Sequence, residues 1–229
     1  MPIYNPRISF VDLEETRRYA GLANSAAFPE NLLKEACAQA KLLIKPKAVW
    51  NIYPYDTSEH AILGPATLRL TEESIVNRLS GAVEVAVMAV TIGARLEEEV
   101  SNQFSQGAYT GAILLDAAGT AATEQACDQV NALITQHAAR MGYVTGKRFS
   151  PGYGGWDVRV QPEILDLAQA SLVDIGVTAS MMLVPRKSVS AVIGIYPYQE
   201  SLSLPNMREA SCDDCQHVTC QVRKETKPK

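Results

Sequence analysis

Arg148-Phe-Ser-Pro-Gly-Tyr153, continuing as Gly154-Gly-Trp-Asp157, separates two helical patterns, one ending near Met141 and one beginning near Pro162. The prolines and glycines between Gly142 and Pro162 exclude a regular helix there. The stretch is chemically rich, with Lys147, Arg148, Tyr153, Trp156, Asp157 and Arg159 in close succession. A guanidinium beside aromatic faces, on backbone that glycine lets approach closely, suits a small anionic or zwitterionic ligand. The competing reading is a plain helix-to-helix loop whose aromatics plug the core.

On the C-terminal side, Glu163 to Ile175 reads as a helix ended by Gly176. Two strands follow, Val177 to Val184 and Ser188 to Tyr196, joined by Pro185-Arg-Lys187; so short a link predicts an antiparallel hairpin. On the N-terminal side, Leu114, Ala118, Ala122, Ala126 and Val130 recur at helical spacing within a long helix from Tyr109 to Met141. Cys127 and His137 ride on it, the histidine as a solvated or capping residue. Val83 to Ile92 is valine-rich and reads as a central strand, followed after Gly93 by a charged helix from Arg95 to Phe104. Further upstream, Asp12 is placed to cap a short helix and Pro29 opens another, with Cys37 as a buried, inert thiol. Lys47 to Tyr55 and Ala66 to Leu70 are strands, and Thr71 to Leu79 is a helix stopped by Gly81. Ile195-Tyr-Pro-Tyr198 echoes Ile52-Tyr-Pro-Tyr55; both mark strand ends rather than a duplication. Strands and helices in this order do not alternate as in a doubly wound chain. The fold class is α+β, an antiparallel or mixed sheet with helices packed on it, in one domain over residues 1–205 with a cysteine-containing tail over 206–229.

Composition bounds the function. The chain has 229 residues, 47% hydrophobic and 20% charged, as a soluble domain with a sizeable core would. A net charge of -4 argues against nucleic acid as a partner. No apolar run is long enough to span a bilayer and no signal peptide opens the chain, so the expected location is the cytoplasm. Glycine fingerprints for dinucleotides or nucleotide phosphates, the serine-hydrolase elbow and the zincin helix are all absent from the sequence.

Arg148-Phe-Ser-Pro-Gly-Tyr153, then Ile175-Gly-Val-Thr178 and Leu183-Val-Pro-Arg-Lys-Ser-Val-Ser-Ala191, in this order and spacing, resemble the activation domain of cobalamin-dependent methionine synthase, and more closely its free-standing relatives. The resemblance covers roughly residues 75–225, with Thr91-Ile-Gly93 and the Leu114–Cys127 helix also where that family has them. It implies binding of S-adenosylmethionine by Arg148 and Tyr153, by backbone at Ser150, and with Gly152 admitting the close approach. A guanidinium grips a carboxylate through paired hydrogen bonds, and an aromatic face attracts a sulfonium. The implied task is reductive reactivation: the ligand's methyl group is delivered to cobalamin held by a partner corrinoid methyltransferase such as methionine synthase, with an external electron donor. That is a positioning role in which no side chain need act as acid or base, and it leaves open whether the chain is itself an enzyme. The family's fused domain also uses an acidic residue from an aromatic-rich N-terminal segment. No matching segment occurs here, and neither Asp12 nor Asp56 is assigned that role.

The tail adds Cys212-Asp-Asp-Cys215-Gln-His-Val-Thr-Cys220. Cys212, Cys215 and Cys220 have spacing that lets three thiolates converge on zinc or an iron–sulfur cluster, with His217, Cys37, Cys127 or an outside group as fourth ligand. A redox Cys-x-x-Cys pair and a solvated tail with free thiols are the alternatives. A second function class therefore stands beside the first: a non-catalytic metal-binding interaction protein that kept the fold without the ligand.

Overall fold

The computed structural model describes residues 3–23, 25 and 27–198. In chain order the elements are α1 (Leu13–Tyr19), α2 (Glu30–Leu43), β1 (Lys47–Asp56), β2 (Ala61–Leu63), β3 (Thr67–Arg69), α3 (Glu73–Arg78), β4 (Glu84–Thr91), α4 (Arg95–Ser105) and α5 (Tyr109–Arg140). They continue as β5 (Tyr143–Thr145), α6 (Gln161–Ala168), β6 (Gly176–Val177), β7 (Leu183–Val184) and β8 (Ser188–Pro197), with 3-10 turns at Val158–Val160 and Ala170–Val173. They form two compact units, and the division falls within α5, between Ala122 and Thr123.

The larger unit is built on a sheet of order β3-β2-β1-β4-β8-β5, antiparallel at every pairing. β4 lies at its middle, paired with β1 from Lys47↔Thr91 to Pro54↔Glu84 and with β8 from Thr91↔Ser188 to Glu84↔Ile195. Its valine-rich sequence follows from burial on both faces, since β-branched side chains suit a strand covered on each side. Val85, Val87 and Ala89 point to one face and join Val49 and Val192 in a core with Ile164, Leu165, Leu167 and Ala168 of α6. Asn51 is buried on the same side, where its amide donates to the Leu167 carbonyl at 2.9 Å, joined there by the Tyr53 hydroxyl at 2.7 Å. The alternate residues Ala86, Met88 and Val90 are buried on the opposite face. Trp50 on β1 meets His137 of α5 edge-on, ring centroids 5.5 Å apart. The histidine is exposed, as read from the sequence.

The smaller unit contains α1, α2, α4 and the first part of α5. Asp12 caps α1, its carboxylate accepting from the Glu15 amide at 2.9 Å. Leu33 and Ala36 of α2 and Leu114 of α5 form its small core, packed against Leu13, Leu22 and Phe28. Gly119 lets α4 pack closely: a Cβ there would lie 2.6 Å from a Leu96 methyl, which would have to move. Cys37 is buried, its thiol within hydrogen-bond reach of the Thr16 hydroxyl, and burial pushes its pKa up.

Three local expectations are corrected. The helix expected over Glu163–Ile175 stops at Ala168, because Gln169 adopts a left-handed conformation at φ 58° and the chain resumes as a 3-10 turn. The strand expected over Val177–Val184 is two short pieces, β6 and β7, paired with each other around a turn in which Met181 has φ 63°. β8 therefore has no hairpin partner in β7; its neighbours are β4 and β5.

Candidate functional site

The Arg148–Asp157 stretch and the residues before it are tied to the edge of β8 that faces away from β4. The Gly146 amide donates to the Gly194 carbonyl at 2.9 Å, and Phe149 and Val192 exchange both backbone hydrogen bonds at 2.9 Å. After Phe149 the chain folds back on itself: the Gly152 amide reaches the Trp156 carbonyl at 2.8 Å and the Trp156 amide reaches the Tyr153 carbonyl at 2.9 Å. Gly152 (φ 87°) and Gly154 (φ 54°) take left-handed conformations that make this tight return possible. At Gly154 a Cβ would also stand 3.0 Å from the Phe149 ring.

The side chains of this loop divide between the core and a cavity. Trp156 is 1% exposed and stacks on Phe149, centroids 5.8 Å apart and planes 5° from parallel, while the Arg78 guanidinium lies 4.4 Å from the Phe149 centroid. These two aromatics plug the core. Tyr153 is 70% exposed and faces a cavity instead.

That cavity, about 380 Å³, is lined by Ser150, Pro151, Gly152 and Tyr153. Arg186 lines it too, with Ser188, Val189 and Ser190 at the start of β8. Val158, Gln161, Met181, Met182 and Leu183 complete it. Gln161, the first residue of α6, donates from its amide to the Ser190 hydroxyl at 2.6 Å and so fixes a buried polar corner. The lining is largely apolar with a few hydroxyls, an aromatic ring and one cation, a composition typical of small-molecule sites.

Arg148 does not line the cavity. Its guanidinium turns to α5, where one terminal nitrogen bonds Asp128 at 2.8 Å and the other bonds Glu124. Burial opposes its charge, but Cys127, Glu124 and Asp128 outweigh that and hold its pKa above the usual value. Burial also pushes the adjacent Cys127 thiol up to about 12, against the opposing pull of Arg148. Of the four loop residues expected to bind, then, Ser150, Gly152 and Tyr153 share one cavity, and Arg148 braces the loop from behind. The sequence reading missed Arg186, although it lies inside the quoted Leu183–Ala191 motif, two residues before Ser188. Asp12 is occupied as a cap, and Asp56 accepts from the Ser58 and Glu59 amides in the turn after β1.

Cys212, Cys215 and Cys220 lie outside the described residues. Among the described residues no group of three histidine, cysteine or acidic side chains is placed to hold a metal ion, and no helix is long and apolar enough to cross a membrane.

No protein-family model matches the sequence, and no curated protein matches it. Among solved structures, the MetH reactivation domain bound to AdoHcy superposes with a TM-score of 0.59 at 14% identity, over 93% of this chain and 83% of that one. The chain accordingly has the fold of the MetH reactivation domain, an α+β fold whose main sheet here is antiparallel throughout.

Proposed function

We propose that this chain binds S-adenosylmethionine in the Ser150–Tyr153 cavity and serves as a reactivation module for a corrinoid methyltransferase. The observation that carries this reading is that two motifs well separated in sequence, the Arg148–Tyr153 loop and the Ser188–Ser190 strand, meet around one cavity. Its volume lies within the range of roughly 300–1,000 Å³ typical of small-ligand sites. Its chemistry suits a ligand that combines a flat base, sugar hydroxyls, a sulfonium and an amino-acid end. Apolar walls at Pro151, Val158 and Leu183 accept the base, and the hydroxyls of Ser150, Ser188 and Ser190 offer donors and acceptors. The Tyr153 ring is available to the sulfonium. The solved structure of like fold contains AdoHcy, which differs from S-adenosylmethionine by the transferable methyl group.

When bound, S-adenosylmethionine supplies a methyl group for the reduced cobalt of a partner's cobalamin, with S-adenosylhomocysteine left behind and an external donor supplying the electron. The residues of this chain bind and orient. Tyr153, 70% exposed at the cavity, leaves the sulfonium end open toward a partner. Arg148 belongs to the set as a positioning residue: pinned to Glu124 and Asp128, it fixes the start of the segment that carries Ser150 and Gly152.

Calorimetric titration with S-adenosylmethionine tests the reading; absence of any heat of binding would sink it. Arg148→Ala is expected to weaken binding by about 1–3 kcal/mol, as loss of charged hydrogen bonds that hold a site in place does. The Glu124→Gln/Asp128→Asn pair should weaken it similarly if Arg148 acts by bracing the loop. Unchanged affinity in both variants would remove Arg148 from the site.

The cysteine tail carries an independent proposal. Protein prepared without oxygen is expected to contain zinc or iron bound through Cys212, Cys215 and Cys220. Elemental analysis of the triple serine variant should show the metal gone, and metal-free parent protein would eliminate the idea.

A further inference from the structure

We infer that Gln161 reads the edge of the ligand's base, its side-chain carboxamide pairing with the 6-amino group of an adenine. The inference rests on the S-adenosylmethionine reading above and names the residue that selects the base. Gln161 and Ser190 both line the cavity, and they are 3% and 2% exposed. The hydrogen bond from the Gln161 amide to the Ser190 hydroxyl, at 2.6 Å, uses one of the amide's N–H groups. The other N–H and the amide carbonyl have no partner among the described residues. A buried carboxamide is rarely left half satisfied, because its unmet groups carry a desolvation cost. In the lining of a cavity, the groups that meet them belong to what the cavity holds.

The carboxamide is held at both ends. Gln161 opens α6, with its backbone amide donating to the Val158 carbonyl. Ser190 lies in β8, opposite Ala89 of the central strand β4. The side-chain bond therefore ties the amide to the sheet and leaves it a donor beside an acceptor in one plane. Adenine carries the matching set, a 6-amino donor flanked by ring-nitrogen acceptors, and a glutamine amide takes such an edge through two parallel hydrogen bonds. The ligand's carboxylate offers acceptors only, and sugar hydroxyls do not hold donor and acceptor in a rigid plane. The neighbouring chain suits a flat base as well. Val158 lines the cavity and lies against the loop, since a Cβ at Gly152 would stand 3.7 Å from a Val158 methyl. Val158 and Gln161 are joined by the backbone bond above, so one turn of chain supplies apolar surface for the base's face and a polar group for its edge.

The test compares two ligands by calorimetry: S-adenosylhomocysteine and its analogue with hydrogen in place of the 6-amino group. The parent should bind the amino compound at least about fivefold more tightly. Gln161→Met, similar in size and unable to pair with the base, should bind the two within about twofold of each other. A purely structural role for Gln161 would lower affinity for both ligands together and leave their ratio unchanged. A methionine variant with the parent's ratio therefore overturns the inference, as does a parent that does not distinguish the two ligands. If the methionine variant fails to fold, the side-chain amide NMR signals of Gln161 in the parent decide. They should move on binding the amino compound and move less with its analogue; equal shifts overturn the inference. A parent that binds neither compound overturns the functional reading and the inference with it.

Discussion

Trp156→Ala is expected to destabilise the larger unit by about 3–5 kcal/mol, the range for truncating a large buried aromatic. Trp156 is among the largest fully buried side chains and belongs to the core that joins the sheet to α6. Its removal also leaves Phe149 without the ring it stacks on, in the loop that walls the cavity. Trp156→Phe separates the contributions. Among the described residues the indole N–H finds no hydrogen-bond partner, so phenylalanine discards a buried polar group while it keeps most of the stack. It should cost about 1–2 kcal/mol. Urea midpoints of the three proteins measure both values. If the alanine variant loses under about 1 kcal/mol, the loop is not anchored through this ring.

Alkaline pH should produce the second large effect. Burial raises the Cys127 thiol from 9.0 to about 12, and burial raises the Tyr196 phenol from 10.0 to about 12. Both groups hold their protons more tightly in the folded chain than in the unfolded one. Their stabilising contribution is therefore complete below pH 9 and is lost as the pH rises toward 12, because the unfolded chain releases the protons first. The loss approaches roughly 1.4 kcal/mol per pH unit for each group within its window. Cys127→Ala should reduce the part that begins near pH 9, to which the buried Cys37 thiol also contributes, and leave the tyrosine part, which begins near pH 10. Stability measured by urea unfolding that stays level from pH 8 to 11 would contradict the assignment. At neutral pH the same burial should keep Cys127 unreactive toward thiol reagents in the folded protein.

How far the sequence could be read depended on the distance over which each signal acts. β4 was legible because a strand buried on both faces must be apolar along its length, and α5 because small residues recur at helical spacing over many turns. The loop at Arg148–Asp157 was legible because prolines and glycines act locally. The break at Gln169 was not, since a residue ordinarily compatible with helix was forced into a left-handed conformation by the chain around it. Nor was the split of Val177–Val184, where a turn through Met181 interrupts a pattern that reads as strand. The hairpin expected of β7 and β8 failed for a related reason: a short link brings chain ends near each other without deciding which strand takes the hydrogen bonds. At the site, Ser150, Gly152 and Tyr153 of the motif line one cavity. The motif could not reveal that Glu124 and Asp128, distant in sequence, hold Arg148 against α5, or that Arg186 lines the same cavity as the loop.

The pairing of Phe149 with Val192 has a consequence for the solubility of the fold. β8 is a long apolar strand, and β5 covers it only opposite Ile195, Tyr196 and Pro197. Beyond that, the Gly146 and Phe149 backbone occupies hydrogen-bonding positions along its outer side. An uncovered strand of that composition would be a template for another chain to pair with. The segment that walls the cavity thus also shields the sheet from intermolecular strand addition. Loop variants are constrained to keep this backbone in register, and variants that release it should aggregate more readily.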